Sequence, residues 1–174
     1  MANAEHLKQY IRDIPDFPQK GVLYRDITPL LANAAAFREV IDALAEYYRA
    51  ANIEAVVAVE SRGFIFGAPL SYALGVPFAM ARKFGKLPYA TVNVAYELEY
   101  GSAVIEMHTD ALGPGQRTLI VDDLLATGGT TAATVQLVEK LGATVAGVAF
   151  VIELTFLNGR QRLGNHDIFA LLQY

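Results

Sequence analysis

The sequence contains no cysteine, which removes disulfides, thiolate zinc sites and a cysteine nucleophile from the available chemistry. It also lacks any uninterrupted apolar run near the roughly 20 residues that a bilayer-spanning helix needs, because charges punctuate every candidate. Residues 1–13 lack a basic region leading into an apolar stretch, so no secretory signal is expected and the cytoplasm is the expected compartment. Basic residues are scarce. Fourteen Lys and Arg against 18 Asp and Glu give a net charge of −4, which excludes a surface-wide nucleic-acid footprint, so an anionic ligand must be held locally. The three histidines, His6, His108 and His166, are scattered without metal-ligand spacing and receive no role.

What the chain has in quantity is apolar residues, 53% of its 174, with a mean hydropathy of +0.29. Without a membrane span, that content is expected in buried strands and a subunit interface. The length predicts one domain over residues 1–174. Residues 4–13 read as a short helix, and 14–21, with two prolines and a glycine, as an ordered turn or loop. Phe37, Val40, Ile41, Leu44, Tyr47 and Tyr48 follow helical spacing with charges between them. The short apolar run 55–59 predicts a strand covered on both faces. A helix over about 64–74, a strand over 76–81 and a loop over 83–93 follow. Residues 94–99 and 102–108 predict a β-hairpin around Tyr100-Gly101. A buried strand over 118–121, a helix over about 130–141 ended by Gly142, and strands over 145–152 and 168–172 complete the chain. Alternating strands and helices predict an α/β fold with a mainly parallel central sheet flanked by helices. The last eleven residues, 164–174, read as a terminal strand with no assigned role.

The strongest chemical signal lies in residues 119–131. An apolar strand runs into Asp122-Asp123, then into Ala126-Thr127-Gly128-Gly129-Thr130, then into a helix. In an open parallel sheet, ligands bind at the carboxyl ends of strands. Gly128 and Gly129 let backbone amides approach a ligand closely. Thr127, Thr130 and Thr131 add hydroxyl donors, and the start of the following helix favours an anion. These parts suit one phosphate group. The two acids call for a sugar diol, or a magnesium ion holding one. No lysine reaches for outer phosphates as in a Walker loop.

Residues 121–130 resemble the phosphoribosyl-pyrophosphate (PRPP) signature of the type I phosphoribosyltransferases. The resemblance implies that family's fold, with Asp122 and Asp123 on the ribose hydroxyls and Ala126, Thr127, Gly128, Gly129 and Thr130 on the 5-phosphate. Further segments, in the same order as in the adenine phosphoribosyltransferases, extend the similarity over roughly residues 15–163. Pro15 to Pro18 and Gly21 to Pro29 resemble that group's amino-terminal hood, which spans about 1–33. Glu60-Ser61-Arg62-Gly63-Phe64 resembles its pyrophosphate loop, Arg82 to Pro88 its basic loop, and Leu98-Glu99-Tyr100-Gly101 its catalytic flap, which spans about 84–108.

The resemblance implies specific roles. Ser61, Arg62, Arg82, Lys83 and Lys86 would stabilise departing pyrophosphate, the basic loop either in its own site or in a neighbouring subunit's. Leu23 would read the purine edge through its backbone, Tyr24 would stack on the base, and Arg62 would touch base as well as pyrophosphate. Glu99 would handle protons on the purine imidazole ring, Tyr100 would cover the closed site, and Gly101 would supply hinge freedom. Magnesium would be bound mainly through PRPP, with no direct protein ligand assigned. The implied partners are adenine, PRPP and a second copy of the chain, with neither nucleic acid nor membrane. Tyr24, where phenylalanine is common, and Phe84 depart from the family's usual choices. Two alternatives stand beside this reading: the same donor with an oxo-purine acceptor, and a non-catalytic nucleotide-sensing regulator built on the same fold.

Overall fold

The computed structural model describes residues 4–97 and 102–174. A 3₁₀ segment, Ala4–Tyr10, leads into a two-stranded antiparallel sheet of β1 (Arg12–Pro15) and β2 (Leu23–Asp26). The expected loop over 14–21 therefore begins two residues late. Ile14 and Pro15 pair with Tyr24 and Leu23, and the reversal is closed by Phe17 N–H to the Val22 carbonyl at 3.3 Å and Gly21 N–H to Asp16 Oδ1 at 2.7 Å. Proline is tolerated in β1 because this ribbon has two free edges.

After a one-turn helix, α1 (Thr28–Ala32), comes α2 (Ala34–Tyr48), whose first turn is capped by Asn33 Oδ1 accepting from Ala36 N–H at 3.0 Å. The rest alternates: β3 (Ala55–Val59), α3 (Arg62–Leu74), β4 (Phe78–Lys83), the hairpin strands β5 (Thr91–Glu97) and β6 (Ser102–His108), β7 (Arg117–Leu125), α4 (Gly129–Lys140), β8 (Thr144–Glu153) and β9 (Ile168–Gln173). The expected helix over 64–74 starts earlier, at Arg62, and the strand over 76–81 lies two residues further on. Beyond Leu141 the N–H groups of Gly142 and Ala143 bond back to the carbonyls of Glu139 and Val138. That is a Schellman ending at the expected glycine.

Seven strands form one sheet in the order β5-β6-β4-β3-β7-β8-β9. The four pairings among β4, β3, β7, β8 and β9 are parallel; β6 joins β4, and β5 joins β6, antiparallel. Successive residues of a strand point to opposite faces, and here both faces are covered. Val56, Leu119, Val121 and Val151 pack with Leu44, Tyr48, Phe66 and Leu70 of α2 and α3. Val57, Ile120, Val148 and Phe150 pack with Leu137 and Val138 of α4 on the other side. This double burial explains why the core strands read as continuous apolar runs.

The chain leaves β3 for β4 in one direction across the sheet and leaves β7 for β8 in the other. Neighbouring β3 and β7 are thus the topological switch point, where a crevice opens beyond the strand ends. β3 pairs with β7 only as far as Ala58 opposite Val121, whereas β7 continues beside β8 to Leu125 opposite Glu153. Asp122 and Asp123 therefore lie within the strand, not after it as the sequence suggested. Their side towards β3 has lost its partner strand.

Candidate active site

Two adjoining cavities occupy the crevice. One, of about 290 Å³, is lined by Glu60, Ser61, Arg62, Lys83, Asp122, Asp123 and Thr130, among others. The other, of about 80 Å³, is formed by Leu125 to Thr131 together with Asp122 and Leu124. Asp122, Leu124 and Thr130 belong to both. The acid pair thus sits between a cradle of small residues and a cationic wall.

The cradle is shaped by close packing. Gly128 adopts φ +80°, and an added Cβ there would lie 2.5 Å from the Gly159 carbonyl oxygen. A Cβ on Gly159 would in turn overlap the Ala126 carbonyl oxygen. Only glycine fits either place. The segment carrying Gly159 is fixed by Arg160, whose guanidinium donates twice at 2.7 Å to buried Glu153 and once at 3.0 Å to the Ile168 carbonyl. Gly129, Thr130 and Thr131 at the start of α4 line the cradle, and Thr130 Oγ1 donates to Tyr96 Oη of the hairpin at 3.3 Å.

On the opposite wall, Arg62 opens α3. Its Nε lies 3.0 Å from Asp123 Oδ2, and a terminal guanidinium nitrogen donates to Tyr24 Oη at 2.6 Å. Its Cζ stands 5.4 Å from the Tyr24 ring centroid, and Phe17 meets the same ring edge-on at 5.1 Å. One guanidinium therefore spans from the hood to the acid pair. Leu23, 46% exposed, flanks Tyr24 on β2. Gly63 follows Arg62, and a Cβ there would sit 2.9 Å from the Val121 carbonyl and 3.0 Å from Asp122 Oδ1. Its absence lets this loop close on the acids.

Asp123 is 4% exposed. Burial pushes its carboxyl pKa up against the opposing pull of Arg62. Asp122 is raised further, by burial and then by the charge of Asp123. Two carboxylates this close do not both ionise readily. A ligand bringing hydroxyl donors or positive charge would relieve both costs.

Glu60, to which the sequence reading gave no role of its own, follows β3 directly and organises the basic loop. It accepts from Arg82 Nε and NH2, both at 3.2 Å, and from Lys83 N–H at 3.0 Å. Burial works to raise its pKa, but the Arg82 hydrogen bonds, the Lys83 N–H and the charges of Arg82 and Lys86 together hold it below the usual carboxylate range. The Glu60–Ser61 peptide bond is cis.

Of the residues the sequence singled out, the crevice brings together Ser61, Arg62, Lys83, Asp122, Asp123 and Ala126 to Thr130. Tyr24 reaches it through Arg62. Arg82 is turned towards Glu60, and Lys86 and Leu23 do not line either cavity. Glu99 and Tyr100, with Leu98 and Gly101, lie outside the described residues. A role also emerges for the terminal strand: the Arg25 guanidinium stands 3.8 Å over the Tyr174 ring, and Thr155 N–H bonds the Tyr174 carbonyl at 2.9 Å. Tyr174 thus ties the hood to the sheet.

Residues 26–168 match the phosphoribosyl transferase domain. The adenine phosphoribosyltransferase of Roseiflexus sp. (strain RS-1) is 57% identical over 97% of this chain and 98% of its own. The crystal structure of the adenine phosphoribosyltransferase from Thermoanaerobacter pseudethanolicus superposes with a TM-score of 0.96 at 51% identity, covering 98% of this chain and 99% of that one. The Saccharomyces cerevisiae enzyme, solved with an imino-altritol bisphosphate and adenine, gives a TM-score of 0.94 at 42% identity over 98% and 99% of the two chains. The chain belongs to the phosphoribosyltransferase family and, within it, to the adenine phosphoribosyltransferases.

Proposed function

We propose that the chain transfers the 5-phosphoribosyl group of PRPP to N9 of adenine, giving AMP and pyrophosphate in a purine-salvage reaction. The observation that carries the proposal is the acid pair at the switch point, with a phosphate-sized cradle on one side and Arg62 and Lys83 on the other. Ala126 to Thr130 take the 5-phosphate, Asp122 and Asp123 the ribose hydroxyls, and Ser61, Arg62, Arg82, Lys83 and Lys86 the pyrophosphate. Holding the donor at both ends uses remote binding energy to position the anomeric carbon. The transition state has oxocarbenium character, and the cationic wall offsets charge on the leaving group. Leu23 and Tyr24 receive the base, Glu99 accepts the imidazole proton, and Tyr100 covers the closed site, excluding the water that would hydrolyse the donor.

Among the described residues no three metal-ligating side chains cluster. The two acids still suit a magnesium ion carried largely by the donor's own oxygens, with Asp122 and Asp123 holding the diol beside it. When bound, magnesium would neutralise charge on the departing pyrophosphate. The cytoplasm is the proposed compartment; no described helix is long and apolar enough to cross a membrane. We also read the protein as a homodimer. Ile65, Ala68 and Tyr72 form an exposed stripe on α3, with Tyr72 90% exposed, and Met80 on β4 and Phe84 just after it are exposed too; exposed apolar surface of this kind calls for a partner.

The test is pyrophosphate release from PRPP and magnesium with adenine, hypoxanthine, guanine or xanthine supplied separately. Release with adenine alone, with AMP accumulating, is the expected result. Release with an oxo-purine would overturn the base assignment. No turnover with any base would favour the regulator.

A further inference from the structure

Glu106, on β6, is a carboxylate only 2% exposed, set between buried Ile105 and Met107. Burying a carboxylate is costly unless donors surround it. Among the described residues its donors are all uncharged groups of one segment, the basic loop and its exit. Lys86 N–H reaches Oε1 at 3.1 Å, Leu87 N–H reaches the same oxygen at 3.2 Å, and Thr91 Oγ1 donates to Oε2 at 3.2 Å.

The location explains why a side chain is needed there. β4 and β6 pair only at Arg82 opposite Glu106 and Lys83 opposite Ile105, with one further bond from Phe84 N–H to the Val104 carbonyl at 3.0 Å. Beyond that point the chain leaves the sheet, and the amides of residues 86 and 87 have no strand to bond. The Glu106 carboxylate takes the place of that strand. Lys86 is consequently held at both polar atoms of its backbone. Its N–H goes to Glu106, and its carbonyl accepts from Arg82 NH1 at 2.9 Å. Glu60 grips the same Arg82 from the other side.

We infer that Glu106 is a positioning residue for donor binding: it fixes the basic loop so that Lys83, which lines the crevice, presents its charge at the pyrophosphate end. The inference rests on the proposed phosphoribosyl-transfer reaction. Charge-assisted bonds from backbone amides to a buried carboxylate are strong and directional, and small misplacements of a binding group carry large kinetic penalties.

Three variants test it by steady-state kinetics in both substrates and by titration with pyrophosphate. Glu106→Gln keeps an acceptor for the two amides and can donate to Thr91 Oγ1; the expected KM for PRPP stays within about threefold of wild type. Glu106→Asp keeps the charge but withdraws it by one methylene, and Glu106→Ala removes it. Both are expected to raise the PRPP KM and the pyrophosphate Kd on the order of 10-fold or more, with the adenine KM little changed. Should Glu106→Ala fail to fold, the contrast between Gln and Asp decides. Equal rises in both KM values, lowered Tm with unchanged kinetics, or a Gln variant as impaired as Asp would each overturn the inference. Wild-type turnover with adenine tests the underlying reaction separately, so the two can fail independently.

Discussion

At the scale of single residues, the acid pair is a site held under tension. Burial raises the Asp122 pKa and the charge of Asp123 adds to it, so without ligand the folded state is penalised once both groups must ionise. Because the folded pKa lies above the unfolded one, the pair's favourable state is complete below the ordinary carboxylate range and is lost as pH rises through the raised value. Asp122→Asn keeps an oxygen for the Asp123 N–H, now 2.9 Å away, and removes one charge. The variant is expected to melt about 2–4 °C above wild type at pH 8, with the gap closing in acid, while losing donor binding. A calorimetric pH series with and without PRPP checks both halves; a lower Tm at pH 8 would refute the account.

At the scale of elements, the sequence disclosed most where a local signal coincided with the tertiary environment. The runs 55–59 and 118–121 were legible as strands because both faces of the sheet are covered. Asp122 and Asp123 were legible as candidates for the crevice, which they line, but not as strand residues, because carboxylates ordinarily end a buried strand and only the pairing with β8 carries this one through. Arg12 to Pro15 gave no strand signal, being short, charged and proline-ended; their pairing is imposed by the turn at Asp16 and Gly21. Glu106 was invisible for a different reason. An acid in a hairpin strand reads as solvated, and its burial depends on a loop that returns from 20 residues earlier. Gly159 was equally silent, since its partner Ala126 lies far off in sequence. Gly159→Ala should displace the cradle and raise the PRPP KM roughly 10-fold or more, leaving the adenine KM near wild type. Kinetics with each substrate varied in turn would detect this, and an effect confined to adenine would count against the buttress.

At the scale of the whole molecule, the excess apolar content anticipated in the sequence has two destinations. Most fills the two layers beside the sheet. The remainder is exposed, with Ile65 and Tyr72 on α3, Met80 on β4 and Phe84 just after it forming one group, and Phe17, Leu23, Tyr89 and Phe156 lying elsewhere in the chain. If the first group joins two copies, the double variant Ile65→Asp, Tyr72→Asp should sediment as a monomer with unchanged far-UV circular dichroism. Its PRPP KM should rise, because the loop that begins at Arg82 would lose its neighbour. A wild-type protein that sediments as a monomer at micromolar concentration would dispose of this reading.

Arg62 touches Tyr24 on the hood and Asp123 on β7, which are the two sides at which base and sugar are expected. A purine that recruits this guanidinium changes what the ribose acids feel, and a sugar that claims the acids frees the guanidinium. The two half-sites then share one free-energy coupling, and thermodynamics requires that coupling to be identical read from either end. The factor by which ribose 5-phosphate alters adenine affinity must equal the factor by which adenine alters that of ribose 5-phosphate, and in Arg62→Ala both should fall to unity.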